Sequence, residues 1–230
     1  MITTKSILAT LRRSANPGNR EGMERFGINP DNTLGVSMPV LRQLGKRIGR
    51  NHALALDLWK SGIHEARILA GLIDEPGSVT PSQMDRWARD FDSWDVCDQV
   101  CLNLFVETPY AHAKALAWSG NDREFVRRAG FALVACLAVH DQSAADSQFK
   151  KFFPAIKKAS VDERNFVKKS VNWALRQIGK RNRSLNKSAL QVAREIQRMD
   201  SRSARWIGAD ALRELDSEAV HTRVRKKSLR

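Results

Sequence analysis

The chain has 230 residues, enough to bury a substantial core in one large domain, and 39 lysines and arginines against 25 aspartates and glutamates give it a formal net charge of +14. A field of that sign points to a polyanionic partner, nucleic acid first. It does not point to a membrane, because the longest apolar run, residues 129–139, is too short to span a bilayer.

The N-terminal segment MITTKSILATLRRS is amphipathic and lacks the apolar block and cleavage site of a secretory signal. A transit peptide would share its basic, amphipathic character, but an ordinary first helix over 4–14 is the simpler account. The stretch NPGNREG is turn-like, 20–26 is a short helical turn, and 28–35 is a loop. Ser37 then caps a helix with Val40, Leu41, Leu44 and Ile48 at helical spacing. Two short helices follow over 52–60 and 65–73, and Thr80-Pro81 opens another, since proline's missing N–H costs nothing at a first helical position. Further helices are predicted over 94–106, 110–118, 122–140, 144–159, 162–180, 185–199 and 201–215, and no segment alternates with the two-residue period of a strand. The last residues, 223–230, are basic and predicted to form an unstructured tail after a single domain over 1–222. Three cysteines without framework spacing indicate free thiols in a reducing compartment. Cys97 and Cys101 have no companion ligand pair, so no metal site and no cofactor are expected.

Several helices share an internal order: polar start, basic residue or pair, small residue, apolar run. REFVRRAGFALV (123–134) and RNFVKKSVNWAL (164–175) show it clearly, HEARILAGLI (64–73) and SARWIGADAL (203–212) more faintly. Spacing near 40 residues between the clear copies fits two-helix repeats that must stack to bury their apolar faces. The predicted fold is therefore all-α, a curved α-solenoid of degenerate HEAT/armadillo-like helical repeats. Arg67, Arg127, Arg128, Lys168, Lys169 and Arg205 fall in the first turns of these helices, where the helix end already carries partial positive charge. Bound phosphates would relieve that crowding. Solvated side chains with packed stems are the plain alternative for any one of them.

The candidate chemistry lies in FDSWDVCDQVCLNLF (91–105). Read as a helix capped by Asp92 or Ser93, it places Trp94 and Asp98 one turn apart on one face, with Asp95 complementing the helix dipole. By spacing alone the simpler account of Asp98 is a solvated or capping carboxylate. Of the six tryptophans, Trp59, Trp87, Trp118 and Trp206 sit in apolar patterns and read as core, whereas Trp94 and Trp173 lie among polar and basic residues, where an indole face can meet cations, sugars or bases.

SWDVCD (93–98), FVRRAGFAL, FVKKSVNWALRQIGK (166–180) and HEARILA together resemble the AlkD-type DNA alkylation repair glycosylases, built of HEAT-like repeats, over about residues 15–215. The resemblance implies a monofunctional glycosylase that removes cationic alkylated purines such as 3-methyladenine and 7-methylguanine from double-stranded DNA. It implies Asp98 as the catalytic carboxylate, Trp94 and Trp173 as the aromatics at the lesion's deoxyribose, and Arg128 beside the damaged nucleotide. A cytoplasmic, nucleoid-associated monomer would follow. The chain departs from the family pattern in two places: Ser93 stands where a further tryptophan often precedes the WDxxD element, and Gly22-Met23 where an N-terminal aromatic is found. The rival expectations are a non-catalytic DNA-structure binder on the same scaffold and a HEAT-type protein-interaction scaffold.

Overall fold

The structure, a computed structural model, describes residues 2–227, and every regular element among them is helical. In chain order the α-helices are α1 (Thr4–Arg13), α2 (Pro17–Arg25), α3 (Met38–Ile48), α4 (His52–Lys60), α5 (His64–Ile73), α6 (Pro81–Arg89), α7 (Trp94–Asn103), α8 (Ala111–Ser119), α9 (Glu124–His140), α10 (Asp146–Lys150), α11 (Phe153–Ala159), α12 (Asn165–Gly179), α13 (Arg183–Gln197), α14 (Arg202–Leu215) and α15 (Glu218–Lys227). None is long and apolar enough to cross a membrane.

Local signals account for most starts. Thr80 accepts a hydrogen bond from the Gln83 N–H with Pro81 in the first turn of α6, and Asn182 and Ser201 cap α13 and α14 in the same way. Some stretches depart from expectation, among them the predicted helix over 94–106, which ends at Asn103 and gives way to a 3-10 turn at Phe105–Glu107. The turn-like NPGN opens α2, because the Asn16 side chain accepts from the Asn19 N–H and Pro17 fits the first helical position. The helix predicted over 144–159 is two helices, α10 and α11; Pro154 has no N–H to continue the ladder, so the chain restarts there.

Inter-residue contacts divide the chain into two compact units, Met1–Thr108 and Pro109–Arg230, where the sequence reads as one repeat domain. In the first, α4 packs on α5, and α5 on α3 and α7, around Leu41, Leu58, Leu69, Met84 and Phe105. Trp59 and Trp87 stack face to face at 3.9 Å, and the Trp59 N–H donates to Asp90 at 2.9 Å. In the second unit the pairs α8/α9, α11/α12 and α13/α14 each pack internally, and α9, α12 and α14 pack in succession, which is the stacking that two-helix repeats require.

Helix α9 is buried on nearly every side and depends on one close approach. A Cβ at Gly130 would lie 2.5 Å from the Ser119 backbone nitrogen and 2.8 Å from the Trp118 carbonyl carbon, so the end of α8 rests directly on the α9 backbone. Gly130→Ala therefore costs about 2 kcal/mol from overpacking, even after alanine's better helix propensity is counted. Urea denaturation checks this, a neutral or stabilising change being the contrary result.

Residues 223–227 continue α15 where an unstructured tail is predicted; Val220 and Val224, one turn apart, are buried and hold the helix down. Residues 228–230 of that predicted tail lie outside the described residues.

Candidate active site

Helix α7 begins at Trp94, with Ser93 in the N-cap position but its side chain turned to another task. The Ser93 hydroxyl accepts the Asn29 N–H at 2.9 Å and is fully buried, so it ties the loop after α2 to the start of α7. Trp94 is fixed from the same side, its indole N–H donating to the Phe26 carbonyl at 3.1 Å. These two bonds set the pose of the WDxxD turn. Asp98 follows one helical turn after Trp94, and both side chains are partly exposed.

Asp95 does more than complement the helix dipole. Its Oδ2 lies 2.9 Å from Nε2 of the buried His64, the first residue of α5. Burial opposes a charge on His64, but the Asp95 hydrogen bond and the negative charges of Asp95, Glu65 and Asp92 outweigh it, so the imidazole titrates above its ordinary pH. The neighbouring Glu65 is wholly buried and accepts from the backbone N–H groups of Leu34, at 3.0 Å, Gly35, at 2.6 Å, and Val36, at 3.2 Å. Gly35 must be glycine: its φ is 77°, and a Cβ there would lie 2.2 Å from the Asn16 carbonyl oxygen. The loop 29–36 is thus pinned onto α5 and α7. It borders a cavity of about 580 Å³, whose walls include Met23, Phe26, Ile68, Trp94, Asp95 and His64. Gly22 also lines it, with open space where a side chain would be.

Because the pKa of His64 is raised on folding, the pair stabilises the fold fully below the unfolded value near 6.5, and this contribution is lost as pH rises through the folded value. His64→Gln should therefore lower unfolding free energy more at pH 6 than at pH 8.5. Urea melts of both proteins at the two pH values check it; a gap that does not narrow with rising pH would show that the pair is not charged.

The second unit carries the other two residues of interest. Arg128, on α9, is only 5% exposed and donates to the Phe166 carbonyl at 2.7 Å, so its guanidinium lies against the first turn of α12. Trp173, two turns further along α12, is partly exposed, and Lys169 one turn before it is exposed. Trp94 and Asp98 thus belong to the first unit, Arg128 and Trp173 to the second.

The remaining basic candidates share a register: Arg67, Arg127, Lys168 and Arg205 are each the fourth residue of their helix. Most are engaged within the protein. Arg67 donates to the Asp90 carbonyl at 3.0 Å, lies 3.6 Å from Asp92 and covers the Trp59 ring. Arg127 donates to the Asn121 carbonyl and to Asp162, at 2.6 and 2.7 Å. Burial raises the Asp162 pKa, but hydrogen bonds from Arg164 and Arg127 more than offset it, down to about 2. Arg205 pairs with Asp200 at 3.1 Å, and Lys168 sits 5.1 Å over the Trp206 ring. The crowding of positive charge at these helix starts is thus relieved for three of the four by carboxylates of the connecting loops. Trp206, expected in the core, is 42% exposed beneath Lys168.

The architecture and the WDxxD turn can be set beside known proteins. A family model described as DNA alkylation repair enzyme matches residues 7–215. The chain belongs to this DNA alkylation repair family. Its fold is similar to that of a solved structure described as "a new family of proteins related to the HEAT-like repeat DNA glycosylases with affinity for branched DNA structures", with TM-score 0.81, 19% identity, and 97% of this chain and 96% of the other covered. At that identity the likeness shows the HEAT-like repeat fold alone. A designed armadillo repeat protein is similar at TM-score 0.37 and 15% identity, over 76% of this chain and 91% of the other. Among curated proteins none is significantly similar.

Within a repair family, His64 and Glu65 are the site-adjacent residues that sequence reasoning passes over. The signal was present in HEARILA, two ionisable residues opening an otherwise apolar helix, but only the loop that folds over them shows what they hold.

Proposed function

We propose that the protein is a monofunctional DNA glycosylase hydrolysing the N-glycosidic bond of cationic alkylated purines, 3-methyladenine and 7-methylguanine, in duplex DNA, acting as a monomer without a cofactor and leaving an abasic site. The observation that carries the reading is the pose of Asp98: partly exposed on α7, one turn beyond an indole whose N–H is locked to the Phe26 carbonyl. Membership of a DNA alkylation repair family supplies the class of substrate.

Alkylation at N3 or N7 makes the base a cation and a good leaving group, so no strong general acid is needed. As the bond breaks, positive charge develops on the deoxyribose. A carboxylate held beside that sugar stabilises the oxocarbenium-like state and orients or deprotonates the attacking water, which adds to C1′ as the base departs. The Trp94 face adds cation–π attraction to the same charge. Uncharged bases lack the leaving-group advantage, so selectivity follows from the substrate's own charge.

The test is release of methylated purines from methylated duplex DNA by the purified protein, read by chromatography of the freed bases. No release of either base above the spontaneous rate would defeat the reading. The solved structure of similar fold, described as having affinity for branched DNA, favours a second reading, a non-catalytic binder of DNA structure. That reading expects tighter binding to three- and four-way junctions than to linear duplex, with no base release from any lesion.

A further inference from the structure

The proposed chemistry leaves one strongly charged surface of the second unit unused. Helices α13 and α15 pack together and leave between them a groove of about 650 Å³. Its walls carry Arg183, Lys187 and Arg194 from α13 and His221 and Arg225 from α15, and among the described residues no carboxylate lines it. Arg183, Lys187, Arg194 and Arg225 are all exposed.

This arrangement is unfavourable for the isolated protein. Arg183 and Lys187 are like charges one turn apart, which repel on a helix surface, and both sit in the first turns of α13, where the helix dipole adds positive charge. The repeat helices α5, α9 and α14 relieve the same crowding with loop carboxylates, whereas among the described residues no acid pairs with Arg183, Lys187, Arg194 or Arg225, and the one acid that reaches a residue of the groove, Asp216, meets His221. Glu195 holds Lys157 at 3.0 Å, Glu214 holds Lys180 at 2.6 Å and also Arg176, and Asp216 lies 3.4 Å from His221. At 1.5 Å per residue, Arg183 to Arg194 spans about 16 Å, three turns along one helix face. With one phosphate per 3.4 Å of axis on each strand, that length covers about four or five phosphates.

We infer that the groove between α13 and α15 is a DNA-backbone site, in which Arg183, Lys187, Arg194 and Arg225 hold successive phosphates of one strand. The inference rests on the reading of the chain as a DNA-acting protein, but not on the chemistry assigned to Asp98. The site positions the duplex and reads no sequence, because its groups meet phosphate oxygens only.

The experiment replaces all four cations in the intact chain (R183Q, K187Q, R194Q and R225Q together) and measures duplex affinity across a salt series. A control with the same loss of charge on α1 and α4 (K5Q, R12Q, R13Q and K60Q) is run beside it. At about 0.9 in log–log slope per phosphate contact, the groove variant should lose about 2 to 3.5 from its slope and at least about tenfold in affinity at 50 mM salt, while the control changes little. A slope unchanged in the groove variant, or equally flattened in the control, overturns the site. So does loss of polyglutamate binding with DNA binding intact, which would assign the groove to an acidic protein. Wild type that binds DNA with the predicted groove dependence yet releases no base would sink the glycosylase and leave the groove standing; wild type that fails to bind DNA at all would sink both.

Discussion

Asp98→Asn should reduce release of 3-methyladenine by about 10²- to 10³-fold at saturating protein, the loss typical of removing one electrostatic stabiliser of a transition state. Duplex affinity should hold within about twofold of wild type, since asparagine keeps the size and hydrogen-bonding shape of the side chain and the contact of interest forms with charge that exists only as the bond breaks. The measurement is a single-turnover time course with protein in excess over a methylated duplex, beside a binding isotherm for the same duplex. An Asp98→Asn protein that works at the wild-type rate would remove the carboxylate from the mechanism. A protein that loses rate and affinity together would make Asp98 a binding or folding residue. Trp94→Phe is the companion experiment: it keeps an aromatic face but loses the bond to the Phe26 carbonyl, so a partial loss of rate with affinity intact is expected.

Glu65→Ala should destabilise the protein by about 3–5 kcal/mol and lower its Tm by roughly 10 °C. Glu65 is wholly buried, and its carboxylate is the acceptor for three successive backbone N–H groups at Leu34, Gly35 and Val36. Truncation leaves those donors without their carboxylate acceptor, each costing about 1–3 kcal/mol. Glu65→Gln keeps an acceptor oxygen and loses the charge, so it should fall between alanine and wild type. Calorimetry on the three proteins decides the matter. An alanine variant within about 1 kcal/mol of wild type would mean that the 29–36 loop is held by its other contacts, Ser93 to Asn29 among them.

These two carboxylates stand about 30 residues apart in sequence and have opposite assignments, one read as chemistry and one as architecture. The distinction rests on access. Asp98 is partly open, whereas Glu65 is enclosed by the backbone it anchors. The His64–Asp95 pair lies between those cases: it is mostly buried, yet it borders the cavity beside Trp94 and ties α5 to α7.

What the chain's own order determined is the local part. Helical periodicity, capping residues such as Thr80 and Ser201, and the absence of strand alternation are properties of neighbouring residues, so the all-α class and most helix positions were legible, as was the one-turn spacing of Trp94 and Asp98. The repeat pattern likewise showed that basic residues recur at the same point of successive helices. Only the folded chain decided which of those cations are spent. Arg67 and Arg127 meet acids 25 and 35 residues away, across a turn of the stack, and Trp206 is left on the surface under Lys168 although its helix reads as apolar there. An ion pair or a buried face depends on which repeat lies alongside. Helix spacing fixes the direction of a side chain relative to its own axis, whereas the neighbour that it meets is set by packing between segments whose separation along the chain carries no such period.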